Sequence, residues 1–255
     1  MIKSFYNVIL KSNKIIFKEN ITMVNYQGKA VVITGASGGM GQVLTRELAK
    51  EGAKLAICSN DGAALATLTE ELSKLTEVYS AVVDVTNESE VQAFIEEAAA
   101  RFGKLSALAN LAGLSIPTKI PSTEVSAYDL MMDVNVKGTF LASKHFANNA
   151  ADPAIIVNIG SMAARNANGN APLYCTAKAA VNMLSQGLLL QVGPQNIRVT
   201  TVNPGGADTP FWGTRTVDKT KLMQAEDVVD VILFVLKSNP KIQIHDIFFE
   251  SKARF

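Results

Sequence analysis

The segment Thr34-Gly35-Ala36-Ser37-Gly38-Gly39-Met40-Gly41 follows the apolar run Ala30–Thr34 and precedes a helical pattern over Gly39–Glu51. Glycines between a strand and a helix allow a tight turn, a close approach of the backbone to pyrophosphate, and close packing of helix on strand. The helix N-terminus adds N–H donors and the positive end of the helix dipole. The segment predicts a dinucleotide-binding turn with cofactor contacts from Gly35, Ser37, Gly38, Gly39, Met40 and Gly41.

Short apolar runs alternate with longer helical patterns along the rest of the chain. Several runs are continuous rather than alternating, which is typical of parallel strands buried on both faces. We predict an α/β fold: a single-domain Rossmann fold whose doubly wound, seven-stranded parallel sheet carries helices on both faces. The predicted strands are Ala30–Thr34, Leu55–Cys58, Tyr79–Asp84, Leu105–Leu111, Ile155–Ile159, Ile197–Val202 and Ile242–Phe249. The predicted helices are Gly39–Glu51, Ala63–Lys74, Glu88–Phe102, Glu124–Asn149, Leu173–Val192 and Ala225–Lys237.

Composition excludes several classes of function. At 255 residues, 48% of them apolar and 18% charged, the chain has the make-up of one soluble globular domain. A net charge of +1 argues against nucleic acid as a partner. Two cysteines and two histidines argue against a disulfide framework and a metal site. No run reaches the length of a membrane span, and we expect a cytoplasmic protein.

The first 22 residues differ in composition from the rest of the chain. They are rich in Lys, Ile, Asn and Phe, contain one acid, Glu19, and have no Gly or Pro. An amphipathic presequence is one reading, although arginine and a small-residue cleavage site are both missing. The favoured reading is a poorly ordered N-terminal extension over residues 1–22, with the domain occupying residues 23–255.

The type of nicotinamide cofactor is left open by the end of the second strand. An acid about 20 residues beyond the glycines would bind the ribose 2′-OH of NAD, whereas a basic residue would accept the 2′-phosphate of NADP. Ser59 stands at the expected acid position and Asn60 follows it. Asp61 either reaches back to the ribose or caps the next helix. We expect NADP or NAD, with NADP slightly favoured.

Three polar residues further along the chain have the chemistry of proton transfer at a carbinol oxygen. Tyr174 and Lys178 are four residues apart and share one helix face. A free tyrosine has a pKa near 10, so we expect the Lys178 ammonium and the oxidised nicotinamide to draw the pKa of Tyr174 toward neutrality. Ser161 follows a predicted strand, where its hydroxyl is placed to hold a substrate oxygen.

Seven segments in order give the chain its resemblance to the classical short-chain dehydrogenases/reductases, from about Gln27 to near the C-terminus. They are the glycine turn, Asp84-Val85, Asn110-Leu111-Ala112-Gly113, Asn135-Val136-Lys137-Gly138, Ser161, Tyr174–Lys178, and Asn203-Pro204-Gly205 with Thr209. The resemblance implies that Asn135 joins Ser161, Tyr174 and Lys178 as a catalytic residue. It also implies that Tyr174 and Lys178 contact the cofactor, together with Asp84, Val85, Asn110, Ala112, Gly113, Pro204, Gly205, Ala207 and Thr209.

The resemblance has two ambiguities. The adjacent Gly38 and Gly39 also fit the glycine spacing of the longer sugar-nucleotide epimerases and dehydratases, whose additional C-terminal region has no room here. The family usually has Asn-Asn-Ala-Gly where this chain has Leu111 in the second position. The second asparagine helps to tie the central strands, so the replacement puts some structural stabilisation in doubt.

These patterns predict an NAD(P)-dependent oxidoreductase that interconverts a secondary alcohol and a ketone. The alternative is a catalytically silent dinucleotide-binding sensor or scaffold protein. A lid over about Gly205–Leu222 is predicted to cover a small-molecule substrate. The pocket is predicted to include Leu114, Met162, Phe211 and Trp212, with polar contacts from Asn166 and Asn168. The resemblance implies a homodimer or homotetramer built on the two long helices, Glu124–Asn149 and Leu173–Val192.

Overall fold

A computed structural model of the chain describes residues 23–255 and contains one seven-stranded parallel sheet. The strand order is β3-β2-β1-β4-β5-β6-β7, so the direction of winding reverses between β1 and β4. This reversal opens a crevice at the carboxyl ends of the central strands. The strands are β1 (Ala30–Thr34), β2 (Lys54–Ser59), β3 (Val78–Val82), β4 (Leu105–Asn110), β5 (Ala150–Ile159), β6 (Ile197–Pro204) and β7 (Asp246–Phe249).

Helices cover both faces of the sheet. Side chains alternate along a strand, and in β1 Val31 and Ile33 join one buried cluster while Ala30 and Val32 join the other. This explains why the first strand is apolar without interruption, as a strand buried on both faces must be. The helices are α1 (Gly39–Lys50), α2 (Gly62–Leu72), α3 (Glu88–Phe102), α4 (Val125–Met132), α5 (Gly138–Asn149), α6 (Pro172–Val192) and α7 (Ala225–Lys237). The predicted fold class is confirmed.

The predicted helix Glu124–Asn149 is wrong as a single element. A π-helical segment, Asp133–Lys137, separates α4 from α5. The side-chain amide of Asn135 donates to the carbonyl oxygen of Met131 at 2.9 Å, which is the acceptor that the regular helix would use. The backbone N–H of Gly138 then reaches Asp133, five residues back, and closes the wider turn.

The last predicted strand is also shorter than expected, because only Asp246–Phe249 pairs with β6. The residues before it run beside β6 but are held by side chains. Arg198 donates to the carbonyl of Ile242 at 3.3 Å, and Thr200 donates to that of Ile244 at 2.6 Å. The predicted extension over residues 1–22 lies outside the described residues, and its boundary with the domain stays a prediction.

Candidate active site

A cavity of about 680 Å³ lies at the carboxyl ends of the central strands. Its wall includes the predicted catalytic residues Ser161, Tyr174 and Lys178. The predicted cofactor residues that line it are Met40, Gly113, Pro204, Gly205, Ala207 and Thr209, and the predicted substrate residues are Met162, Asn166, Asn168, Phe211 and Trp212. The structure therefore brings together residues that are up to 175 positions apart in the chain.

Ser161 is placed by the end of β5 and by a neighbouring strand. Its backbone N–H donates to the side-chain oxygen of Asn203, at 3.0 Å, and its hydroxyl accepts a hydrogen bond from the N–H of Ala163 at 3.1 Å. The same hydroxyl lies next to the phenol of Tyr174 and lowers its pKa. Serine and tyrosine therefore present their oxygens side by side, as the polarisation of one substrate oxygen requires.

Lys178 lies one turn beyond Tyr174 in α6 and is only 3% exposed. Its ammonium donates to the carbonyl of Ile159 at 3.0 Å and stands 5.7 Å from the ring centre of Tyr174. Burial lowers the pKa of Lys178 to about 8 because the charged form loses its hydration. A lysine with this pKa changes its charge close to physiological pH.

The pKa of Tyr174 differs from the expectation. Burial raises it to about 12, and the opposing effects of the Ser161 hydrogen bond and of the positive charge of Arg215 are smaller. Phe211 contributes to this burial with its ring centre 5.7 Å from that of Tyr174. The expected lowering of the pKa by Lys178 is not observed in the protein alone, where removal of the phenol from water outweighs the opposing effects of Ser161 and Arg215.

The side-chain oxygen of Asn135 lies near Lys178. The residue is fully buried, and its amide donates to the carbonyls of Met131 and Leu114, both at 2.9 Å. The Oδ1 atom has no hydrogen-bond partner among the described residues. A Cβ added to Gly113 would stand 2.9 Å from this oxygen and 3.4 Å from Lys178 Nζ. The predicted pocket residue Leu114 does not line the cavity, and its backbone carbonyl accepts the hydrogen bond from Asn135.

The glycine turn is held against the loop that follows β4. Gly35 has a φ of +66°, and a Cβ there would lie 2.7 Å from the backbone nitrogen of Ala112. A Cβ on Gly39 would lie 2.8 Å from the side chain of Thr209. Only glycine fits these two positions, and α1 begins directly after the turn, where a helix N-terminus offers N–H donors to an anion. The geometry fits the phosphates of a dinucleotide.

The sequence matches the family model described as short chain dehydrogenase over residues 29–220. That match covers most of the chain and includes the glycine turn and the Tyr174–Lys178 pair. The chain belongs to the short-chain dehydrogenase family, whose members are oxidoreductases.

Similar proteins agree with this assignment. An uncharacterized oxidoreductase of Staphylococcus saprophyticus is 31% identical over 88% of this chain and 98% of its own length. A crystal structure of a dehydrogenase/reductase from Sinorhizobium meliloti has a TM-score of 0.85 at 24% identity, covering 92% of this chain and 98% of that one. A short-chain dehydrogenase from Burkholderia cenocepacia, crystallised in complex with NADP, has a TM-score of 0.85 at 24% identity, covering 91% of this chain and all of that one.

The remaining predicted cofactor residues lie in segments that do not line the cavity. At the end of β2 the hydroxyls of Ser59 and Ser37 are 2.5 Å apart. Asp61 accepts from the N–H of Ala64 at 3.0 Å, so its carboxylate caps α2. Asp84 accepts from both the backbone and the hydroxyl of Thr86, at 2.9 and 2.8 Å. Gly38, Gly41, Asn60, Val85 and Asn110 also lie outside the cavity wall, and their roles stay predictions.

The central strands of this dehydrogenase are tied by a different set of side chains from the family's usual pair. Asn110 donates to Ser143 at 3.1 Å and to Asn158 at 2.8 Å, and Asn158 donates to Ser185 at 2.8 Å. Leu111 packs into the core on the α1 side, where it is 8% exposed. The loss of the second asparagine therefore removes one member of a network that the other residues maintain.

Arg215 is a charged cavity residue that the sequence did not reveal. It lines the wall from within the predicted lid. Its guanidinium carbon lies 5.3 Å from the ring centre of Phe211 and 5.1 Å from that of Trp212. The available signal was its position three residues after the predicted apolar border of the pocket.

Within residues 23–255, no helix is long and apolar enough to cross a membrane.

Proposed function

We propose that this short-chain dehydrogenase is NAD(P)-dependent and interconverts a secondary alcohol and a ketone. The observation that carries the proposal is the convergence of Ser161, Tyr174 and Lys178 on one cavity wall, next to the glycine turn. A phenol that lies beside a serine hydroxyl and one helical turn from a buried lysine is suited to exchanging a proton with a carbinol oxygen.

The cofactor site proposed here combines the glycine turn with the loops after β4 and β6. Gly35, Gly39 and the start of α1 would hold the phosphates, while Gly113 and Thr209 would lie along the nicotinamide half. When bound, the nicotinamide supplies the acceptor or donor of a hydride. We favour NADP over NAD, since β2 ends in uncharged residues, and the Burkholderia cenocepacia protein was crystallised with NADP.

The residues of the chain divide the proton chemistry among them. Tyr174 takes the alcohol proton during oxidation and returns it during reduction, while Ser161 holds the same oxygen. Lys178 favours the phenolate by its charge, an effect that grows when the site closes and excludes water. The unpartnered Oδ1 of Asn135 accepts a hydrogen bond from a water that connects this group to solvent.

The decisive experiment separates an enzyme from a silent cofactor-binding protein. A panel of ketones and secondary alcohols is followed at the nicotinamide absorbance, with both cofactors, for the native protein and Tyr174→Phe. We expect the variant to bind NADPH or NADH with unchanged affinity and to lose at least about 100-fold in kcat, the contribution of a general acid/base.

Tyr79→Phe is the matched control. Tyr79 lies in β3, packs on Phe94 of α3 and does not line the cavity. We expect its kcat to stay within about 2-fold of the native value, as for most substitutions away from a site. If Tyr174→Phe turns over every substrate as fast as the native protein, the catalytic assignment fails. Cofactor binding without turnover by the native protein would identify the silent alternative.

Two further parts of the proposal concern the pocket and the assembly. Met162, Phe211 and Trp212 would make the substrate site partly apolar, with Asn166 and Asn168 adding polar contacts.

A homodimer or homotetramer would form through α5 and α6. Exposed apolar side chains on these helices support the assembly: Phe140 is 46% exposed, Met183 65% and Leu190 81%. Native mass measurements test it.

A further inference from the structure

The cavity wall carries charge of only one sign. Of the lining residues, two are ionised at neutral pH, Lys178 and Arg215, and both are cations. Lys178 points to the carbonyl of Ile159 at the closed end of the site. Arg215 lies in the predicted lid and lines the same cavity. Within residues 23–255, no aspartate or glutamate lines the cavity.

The Arg215 side chain is held in place without an acidic partner. Its Nε donates to the carbonyl of Trp212 at 2.8 Å, and one terminal nitrogen donates to the carbonyl of Phe211. In the described part of the chain no carboxylate lies within ion-pair distance of the guanidinium. A guanidinium has five N–H donors, so three remain for a ligand. The group is oriented before any ligand arrives, which reduces the entropy lost on binding.

The position of Arg215 relates it directly to the reacting group. Its guanidinium carbon and the Tyr174 ring centre lie 5.3 and 5.7 Å from the centre of the same ring, that of Phe211. Arg215 and Tyr174 therefore both lie beside Phe211 in the wall of one cavity. The fork of N–H donors on Arg215 and its single positive charge match the geometry and charge of a carboxylate.

We propose that Arg215 binds a carboxylate of the substrate, so that this site acts on keto acids and the corresponding hydroxy acids. The inference rests on the proposed function and narrows its substrate class. Arg215 is then a specificity-determining residue that anchors the end of the substrate remote from Tyr174.

The test compares acids with neutral analogues of the same shape. The α-, γ- and δ-keto acids of a short aliphatic series are each paired with their methyl ester. Reduction is followed at the nicotinamide absorbance with saturating NADPH or NADH. We expect kcat/KM for at least one acid to exceed that of its ester by about 10- to 100-fold, the value of one charge-assisted hydrogen bond.

In Arg215→Met the ratio of acid to ester should fall to within about 3-fold of unity. The ratio distinguishes the charge from the shape of the lid, because a loosened lid slows acid and ester alike. Lys221→Met is the control, since it removes an exposed lid cation that does not line the cavity, and it should keep the native ratio. Binding of the acids is also measured by quenching of protein-bound nicotinamide fluorescence.

Each outcome decides the inference. Equal turnover of acids and esters by the native protein overturns it and leaves the proposed function intact if Tyr174→Phe is inactive. A ratio that survives in Arg215→Met overturns it as well. Weaker cofactor binding in Arg215→Met with an unchanged ratio would assign the arginine to the cofactor instead. If no acid or ester is reduced and no acid binds in an Arg215-dependent manner, the inference is wrong. The secondary alcohols and ketones of the proposed function are then the wrong substrate class as well.

Discussion

Replacement of Lys178 by methionine is expected to make the folded protein more stable at neutral pH while removing its activity. The lysine is 3% exposed, and its ammonium is compensated by one hydrogen bond, to the carbonyl of Ile159 at 3.0 Å. Methionine has nearly the same length and no charge to desolvate. A buried ammonium retained at a cost in stability is typical of a group needed for function.

The magnitude follows from the pKa of Lys178, which burial lowers from 10.5 to about 8. At about 1.4 kcal/mol per pKa unit, keeping the amine protonated at pH 7 costs the folded state about 3 kcal/mol. Loss of the hydrogen bond to Ile159 offsets about 1 kcal/mol of this. We therefore expect Lys178→Met to raise the free energy of unfolding by about 2 kcal/mol at pH 7.

The dependence on pH gives the test its sign. Below pH 8 both the folded and the unfolded lysine are protonated, and the destabilisation is complete. Between pH 8 and 10.5 the unfolded state binds more protons, so the native protein gains stability as the pH rises. The advantage of Lys178→Met should shrink to less than about 1 kcal/mol by pH 9.5.

Urea unfolding at pH 7 and pH 9.5, followed by circular dichroism, measures both values. Lys74→Met is the control: this side chain is 71% exposed and pairs with Glu70 at 3.7 Å. Its substitution should change stability by less than about 0.5 kcal/mol at either pH. A Lys178→Met protein that is less stable at pH 7, or whose advantage is the same at both pH values, would refute the reasoning.

Two further predictions concern the glycine turn and the exposed helix face. Gly35→Ala should lose at least about 2 kcal/mol of stability and its cofactor binding, because φ is +66° and the new Cβ meets backbone at 2.7 Å. Gly187→Ala, in an open position of α6, should gain up to about 1 kcal/mol, and equal urea midpoints for the two would contradict this. Leu190→Asp should lower the native mass to that of a monomer, measured by light scattering, whereas Leu75→Asp on the α2 side should not; an unchanged mass excludes α6 from the interface.

The sequence predicted the fold because its signals are local and repeated. Continuous apolar runs predicted the strands β1, β2, β4, β5 and β6, each with at least one end placed to within a few residues. The exception at the other end is β5, which begins five residues before its predicted start. The helix α3 begins at Glu88, as predicted, and the side chain of Asn87 caps its first turn. The last strand was predicted too long, since an apolar segment held by side chains has the same pattern as one held by a ladder.

The features of the site that the sequence did not predict depend on which contacts individual side chains make in the folded chain. The break between α4 and α5 arises from one amide of Asn135 turning to the Met131 carbonyl, and no propensity records that choice. Arg215 was recognised only once the structure placed it in the wall of the same cavity as Tyr174. The pKa of Tyr174 is raised by burial, which the sequence does not show, and the lowering expected from the oxidised nicotinamide stays a prediction.

The contact between Gly35 and the loop after β4 limits how the enzyme could recover from a mutation. The atoms that a Cβ at position 35 would meet are the backbone nitrogen and Cα of Ala112 and the carbonyl carbon of Leu111. Substituting either of those residues leaves these atoms in place. A selection for revertants of Gly35→Ala should therefore yield restored glycine, or distant changes that raise stability overall, and no suppressors at positions 111 and 112.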